Sequence, residues 1–346
     1  MSEKGTLALA IIADDLTGAL DAAAPFAGRG LDVAFALGAE HLPAALALRP
    51  DIIAVTTAGR EISADAAAGR MRRVVDALPP VRIFKKIDSR LKGNIAAEIS
   101  VLDFNSALMA PAIPEFGRVV RDGHVQGFGV DIPIPVVACL GPNATRSTIP
   151  DVASVAQMQA VLAASQDDLL IGARGLADAL ARHLTRRDMV PRVALPGPRG
   201  LFLVGSTDPI TLDQVADLRS RPGIAHVAAP NGAAGQLPDA FRIILQALPG
   251  DVPTSGDVVA ANLARAAAPL LRPGFGTVLL TGGASAEAVI RYLGIGILRL
   301  RGECLPGLVV AEAEGLTFVT KSGGFGEREC LAHVAAMIGE SACALK

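Results

Sequence analysis

One feature limits the possible folds more than any other. Short, unbroken apolar runs end in polar or glycine-rich clusters, and Ala/Leu-rich stretches of helical length follow them. Residues 7–12 run into Asp14-Asp15-Leu16-Thr17-Gly18, and residues 19–29 read as a helix. Residues 32–36, 51–56, 82–86 and 108–111 read as further strands, with a helix over 64–78. Strands buried on both faces are continuous apolar runs rather than alternating ones, and this rhythm is the sign of a mostly parallel sheet covered by helices. Residues 113–150, with Gly123-His124-Val125-Gln126-Gly127, break the rhythm and read as a loop or hairpin excursion. Residues 167–171 resume it, and so do 201–204, 277–280 and 317–320. Pro191, Pro196 and Pro198 make 185–200 the linker candidate. The fold class is therefore α/β: two α/β domains, 1–195 and 196–346, with mostly parallel sheets and the active site expected in the cleft between them.

Composition removes several function classes. The 32 Lys+Arg against 34 Asp+Glu give a net charge of −2, so electrostatics supply no reason to expect a nucleic-acid partner. Eleven Phe, one Tyr and no Trp leave few rings for stacking on bases. No apolar stretch approaches the roughly 20 residues of a membrane helix, so no membrane partner is expected. The start, Met1-Ser2-Glu3-Lys4-Gly5, shows no signal-peptide pattern, and the cytoplasm is the plain inference. Cys139, Cys304, Cys330 and Cys343 lack metal-site spacing and are expected as reduced thiols. An apolar surface on a chain that is 51% hydrophobic favours a homodimer.

In open α/β sheets ligands bind beyond the carboxyl ends of the strands, where five clusters stand. The first, Ala13-Asp14-Asp15-Leu16-Thr17-Gly18-Ala19, sets two carboxylates beside a helix N-terminus whose free N–H groups can hold an anion. A polyol acid suits it, although one Asp could simply cap the helix. The second, Lys85-Lys86-Ile87-Asp88-Ser89-Arg90-Leu91-Lys92-Gly93-Asn94, reads as an anion-binding turn or a solvated basic face. The other three are Gly205-Ser206-Thr207-Asp208, with Gln214 in the helix that follows, then Thr281-Gly282-Gly283-Ala284-Ser285, and Lys321-Ser322-Gly323-Gly324-Phe325-Gly326. Small residues there let backbone amides approach phosphates. Together they point to one nucleotide site. Neither the P-loop nor the dinucleotide fingerprint is present.

Taken in order, these clusters resemble the four-carbon acid sugar kinase family. Ala13-Asp14-Asp15-Leu16-Thr17-Gly18-Ala19 is similar to its ADDxTGA, and residues 86–94 to its K-x-DSTLRGN. Pro111-Ala112-Ile113-Pro114 with Gly117-Arg118 is similar to its PAxP…GR. The resemblance implies an ATP-dependent kinase acting on the terminal hydroxyl of threonate, erythronate or an oxo-tetronate. It implies a substrate-binding domain over 1–195 and a nucleotide-binding domain over 196–346. Carried over, Asp14, Asp15 and Asp88 are the catalytic candidates. Thr17, Gly18, Arg60, Lys86, Arg90, Lys92 and His124 are the substrate-binding candidates. Ser206, Gly282, Gly283, Ser285, Lys321, Gly323 and Gly324 are the nucleotide-binding candidates. No protein-held metal is expected, and Mg²⁺ would arrive with the ATP. Arg90 stands where the family usually has Thr, and Lys92 where it has Arg. Ala284 replaces a common acidic residue and Ser285 a common Thr. Two other readings stay open: a non-catalytic or regulatory relative, and an NAD-dependent dehydrogenase of sugar acids.

Overall fold

The computed structural model describes residues 7–339; the residues 1–6 read above for a signal peptide, and Cys343, lie outside the described residues. The chain divides into two compact units between Val190 and Pro191.

The strands of the first unit are β1 (Leu9–Ala13), β2 (Val33–Ala36), β3 (Ile52–Thr56), β4 (Ile83–Lys86), β5 (Ala107–Ala110), β6 (Arg118–Arg121), β7 (His124–Gly127), β8 (Val130–Pro135), β9 (Ser147–Thr148) and β10 (Leu169–Gly172). Its helices are α1 (Leu16–Gly28), α2 (Leu42–Ala47), α3 (Ala64–Asp76), α4 (Ile95–Ile99), α5 (Val155–Ala164) and α6 (Arg174–Thr185). The main sheet runs β2-β3-β1-β4-β10-β5-β9, parallel throughout. Every residue of β1 is buried, as a doubly covered strand requires. Register sets Ala13 opposite Thr56, and Gly172 opposite both Lys86 and Ala110, so the carboxyl ends of these strands lie level. Helix α1 is buried along almost its whole length. It carries two charges into contact with α6, where Arg174 meets Asp21 at 3.1 Å and Arg29 meets Asp178 at 2.8 Å. Such buried pairs fix the mutual register of the helices more than they stabilise them. The excursion at 113–150 contains an antiparallel meander, β6-β7-β8, with Val125 paired to Val120 and Ile134.

The second unit contains β11 (Arg199–Val204), β12 (Ile224–Pro230), β13 (Arg242–Leu248), β14 (Gly276–Thr281), β15 (Ile297–Leu305), β16 (Leu308–Ala313) and β17 (Leu316–Lys321). Its helices are α7 (Pro209–Arg219), α8 (Gly256–Ala267), α9 (Gly283–Tyr292) and α10 (Cys330–Met337). Its sheet runs β12-β13-β11-β14-β17-β16-β15, with β16 antiparallel to both neighbours and the remaining pairs parallel. Val204, Thr281 and Lys321 are in register at the strand ends. Phe202, Ile244, Leu279, Val319, Leu331 and Val334 fill one core cluster, which also encloses Cys304 and Cys330. These two thiols and Cys139 are free. Among the described residues no helix is long and apolar enough to cross a membrane.

Candidate active site

In the first unit the site is built on the ends of β1, β3 and β4. Asp14 and Asp15 leave β1 in succession. Asp15 has extended backbone and caps α1, its Oδ1 accepting from the Gly18 amide at 2.8 Å and its Oδ2 from the Thr17 hydroxyl at 3.1 Å. Helix α1 therefore starts at Leu16, three residues before the helical reading begins. Arg60, from the turn after β3, reaches both acids. Its Nε and Nη2 grip the two oxygens of Asp14 at 2.8 and 2.7 Å, and its Nη1 donates to Asp15 Oδ2 at 2.8 Å. Asp88 stands 3.9 Å from the same Nη1, and its other oxygen accepts from the Arg90 amide at 2.8 Å.

One guanidinium shared by a buried and a half-buried carboxylate splits their protonation behaviour. Burial opposes ionisation of Asp14, yet the Arg60 hydrogen bonds and charge, with Lys85 and Lys86 nearby, hold its carboxyl below the usual range. For Asp15 burial wins: it outweighs Arg60, the charge of Asp14 adds to it, and the carboxyl is pushed up.

The four cations of the second cluster have different fates. Lys85 is fully buried and faces down, pairing with Glu98 at 2.9 Å and donating to its neighbour's carbonyl at 3.1 Å. Glu98 also accepts from Thr57 at 2.7 Å. Lys86 is 5% exposed, and its ammonium has no hydrogen-bond or ion-pair partner among the described residues. A Cβ on Gly18 would stand 3.0 Å from that ammonium, which therefore lies at the N-terminus of α1. An unpartnered cation beside free helix amides suits an anion. Arg90 and Lys92 lie on the same turn, half-buried and exposed respectively. Asn94 ties that turn to the Arg60 turn, donating to Gly59 and Ile62 carbonyls at 2.8 Å each. His124 sits on β7, and its Nδ1 lies 2.6 Å from the Asp122 carbonyl. Sequence reasoning missed the role of Arg118. From β6 it donates to the Ser89 hydroxyl at 2.6 Å and to the Phe128 carbonyl at 2.9 Å, bracing the Asp88 turn. Its place in the Gly117-Arg118 motif was the available signal.

In the second unit three turns converge. A Cβ on Gly205 would stand 1.8 Å from Ser285 Oγ, one on Gly323 would stand 2.5 Å from Ser206 Oγ, and one on Gly282 would stand 3.0 Å from the Ser206 amide. Gly282 has φ 96°, and it precedes α9 without a side-chain cap. The first amides of α9 are thus open to an anion, and the absent side chains leave room for one. Ser206, Gly282, Ser285 and Gly323 are brought together, with Gly283 and Gly324 next in sequence. Lys321 is fully buried, and its three donors go to Thr211 Oγ1, the Ser322 carbonyl and the Gly323 carbonyl. Among the described residues no group of three His, Cys, Asp or Glu could hold a metal ion.

Comparisons with known proteins bear on both sites. The family described as a sugar-binding N-terminal domain matches residues 9–133, and the family described as a nucleotide-binding C-terminal domain matches residues 235–331. A D-threonate kinase of Bordetella bronchiseptica is 30% identical, with 96% of this chain and 98% of that protein aligned. The chain belongs to the four-carbon acid sugar kinase family. Within that family, a D-threonate kinase of Cupriavidus necator is 29% identical over 96% of this chain and 98% of its own length. A 3-oxo-tetronate kinase of the same organism is 26% identical over 93% and 96%. A solved structure from Haemophilus influenzae shares the fold, with a TM-score of 0.66 at 19% identity over 95% of this chain and 99% of that one. The sugar-binding match of this four-carbon acid sugar kinase family member contains the whole Asp14–Arg60–Lys86 cluster. The nucleotide-binding match contains Gly282, Ser285 and Gly323, whereas Ser206 precedes it.

Proposed function

We propose that this chain is an ATP-dependent kinase that phosphorylates the terminal hydroxyl of a four-carbon sugar acid. The observation that carries this reading is the Lys86 ammonium, which stands at the N-terminus of α1 with no hydrogen-bond or ion-pair partner among the described residues. Asp88, on the same turn, has one oxygen uncommitted to any hydrogen bond. Lys86 and the first amides of α1 bind the substrate carboxylate, and Arg90 and Lys92 add positive charge at the rim. Asp14 is held by Arg60 through both oxygens, and Asp15 caps the helix, so these two with Arg60 form the rigid floor. Asp88 then has the freest geometry to orient the acceptor hydroxyl and take its proton late in the transfer. In the second unit, the amides at the start of α9 and the turns at Ser206 and Gly323 would hold the ATP phosphates. The ATP supplies the phosphoryl group, and Mg²⁺ bound with it neutralises the phosphate charge.

The reading is checked by ADP release from ATP and Mg²⁺ with threonate, erythronate and 3-oxo-tetronates. Turnover on at least one of these acids is expected, and Asp88→Asn should lower kcat by about 10²-fold or more. Binding of NAD without ATP, or ATP binding without turnover on any acid, would sink it.

A further inference from the structure

We propose that Lys321 is a positioning residue of the nucleotide site: it draws the carbonyl oxygens of Ser322 and Gly323 inward and so aims the amide N–H groups of Gly323 and Gly324 at the phosphates. This rests on the nucleotide role proposed above. Its ground is the geometry of a fully buried ammonium that meets no anion. The Lys321 Nζ donates to Ser322 O at 3.0 Å, Gly323 O at 3.2 Å and Thr211 Oγ1 at 3.3 Å. A trans peptide is planar, with its C=O and the next N–H pointing opposite ways. Fixing the oxygens of Ser322 and Gly323 on Lys321 therefore turns the N–H groups of Gly323 and Gly324 away from it. The Gly323 Cα lies against Ser206, whose Oγ leaves no room for a Cβ there. The cation stands behind the loop as its anchor, and the donors offered to the ligand are amides.

The arrangement needs all three protons. Thr211 cannot compensate by turning its hydroxyl toward the amine, because that hydroxyl already donates to Gly323 O at 2.8 Å. A neutral amine has two N–H groups for three acceptors and sets a lone pair against an oxygen. Burial pushes the ammonium down to about 8, although Cys330 and Asp208 favour the charged form. The groups facing it are Asp208 and Thr211 from α7 and its N-cap, Cys330 from α10, Thr281 from β14 and the apolar Leu308 from β16. Burial also pushes the Cys330 thiol up, so the lysine loses its proton first. The sign follows: the loop is anchored below pH 8 and loses one anchor as pH rises through that value.

The test is equilibrium binding of Mg·ATP to the full chain by calorimetry from pH 6.5 to 10 at saturating Mg²⁺, a range in which the Mg²⁺-bound nucleotide stays fully ionised. The dissociation constant should be flat below pH 7 and rise toward tenfold per unit above 8, about 30-fold by pH 9.5. Lys321→Arg keeps the charge and should hold affinity level through pH 9.5. Thr211→Val removes one acceptor and a second anchor of Gly323 O. It should weaken ATP and lower the midpoint, whereas a lysine that itself touched phosphate would leave ATP affinity intact in this variant. Cys330→Ala should keep a midpoint, at or below the wild-type value, since the thiol only favours the charged lysine. A flat wild-type profile, a midpoint abolished by Cys330→Ala, or unchanged ATP affinity in Thr211→Val would each overturn the proposal. Absence of ATP binding at every pH would instead overturn the nucleotide reading beneath it.

Discussion

Replacing Arg60 with Met tests whether the floor of the first site is a true desolvated ion cluster. Arg60 makes three charge-assisted hydrogen bonds of 2.7–2.8 Å to Asp14 and Asp15, and the Asp14 side chain is only 2% exposed. Met fills a similar volume but leaves Asp14 buried without its partner. Stranding one charge of a buried pair costs about 3–5 kcal/mol. Asp15 adds less, because it is 17% exposed and keeps the Gly18 amide. The pH dependence has a definite sign. In the wild type the Asp14 carboxyl is held low, so its contribution is present above the ordinary carboxylate range and is lost as pH falls through the lowered value. In Arg60→Met burial, the largest influence on Asp14, is opposed only by the charges of Lys85 and Lys86, the carboxyl is pushed up, and folding favours the protonated acid. The penalty should therefore be smaller at pH 5 than at pH 7.5, by up to about 1.4 kcal/mol for each pH unit in which the variant's folded form keeps its proton and the unfolded chain does not. Urea-dependent hydrogen exchange of the peptide over 9–28 reads the first unit separately. Adding Asp14→Asn removes the stranded charge, so the double variant should be more stable than Arg60→Met alone at pH 7.5. A cost under about 1 kcal/mol, an equal cost at both pH values, or a double variant less stable than the single would refute the reasoning.

Two further outcomes follow from the two sites. Lys86→Met should raise the KM for the sugar acid by about 10- to 100-fold, the worth of a charged hydrogen bond, with ATP binding unchanged by calorimetry. Gly205→Ala places a methyl against Ser285 and should weaken ATP binding and lower stability by about 1–3 kcal/mol, both largely recovered in Gly205→Ala/Ser285→Gly when measured by binding and thermal unfolding.

The parallel sheets were legible because β1, β3 and β11 are short apolar runs closed by turn residues, a local signal with little ambiguity. What the sequence could not separate was the role of like residues within a cluster. Lys85 and Lys86 stand side by side in the chain, but successive side chains of a strand point to opposite faces. One meets Glu98 below the sheet, and the other stays unpartnered at the strand end. The pairing of Arg60 with Asp14 was equally invisible, since the partners lie 46 residues apart and only the register of β1 beside β3 brings them together. The sequence was equally silent on the surroundings of Lys321: its burial and its three carbonyl and hydroxyl acceptors are properties of the loop's path, not of its composition.

The antiparallel meander has a consequence for how such a chain can diversify. It is spliced into the connection between β5 and β10, and β10 finds its partners β4 and β5 whether or not the excursion between them is long. Lengthening a connection of this kind costs little, about 0.6 kcal/mol for a doubling. Yet Arg118 reaches out of the meander to hold Ser89, next to Asp88. Insertions and deletions in 119–135 can thus reshape the surroundings of the acid site through one hydrogen bond, while the sheet that carries the charged groups keeps its register.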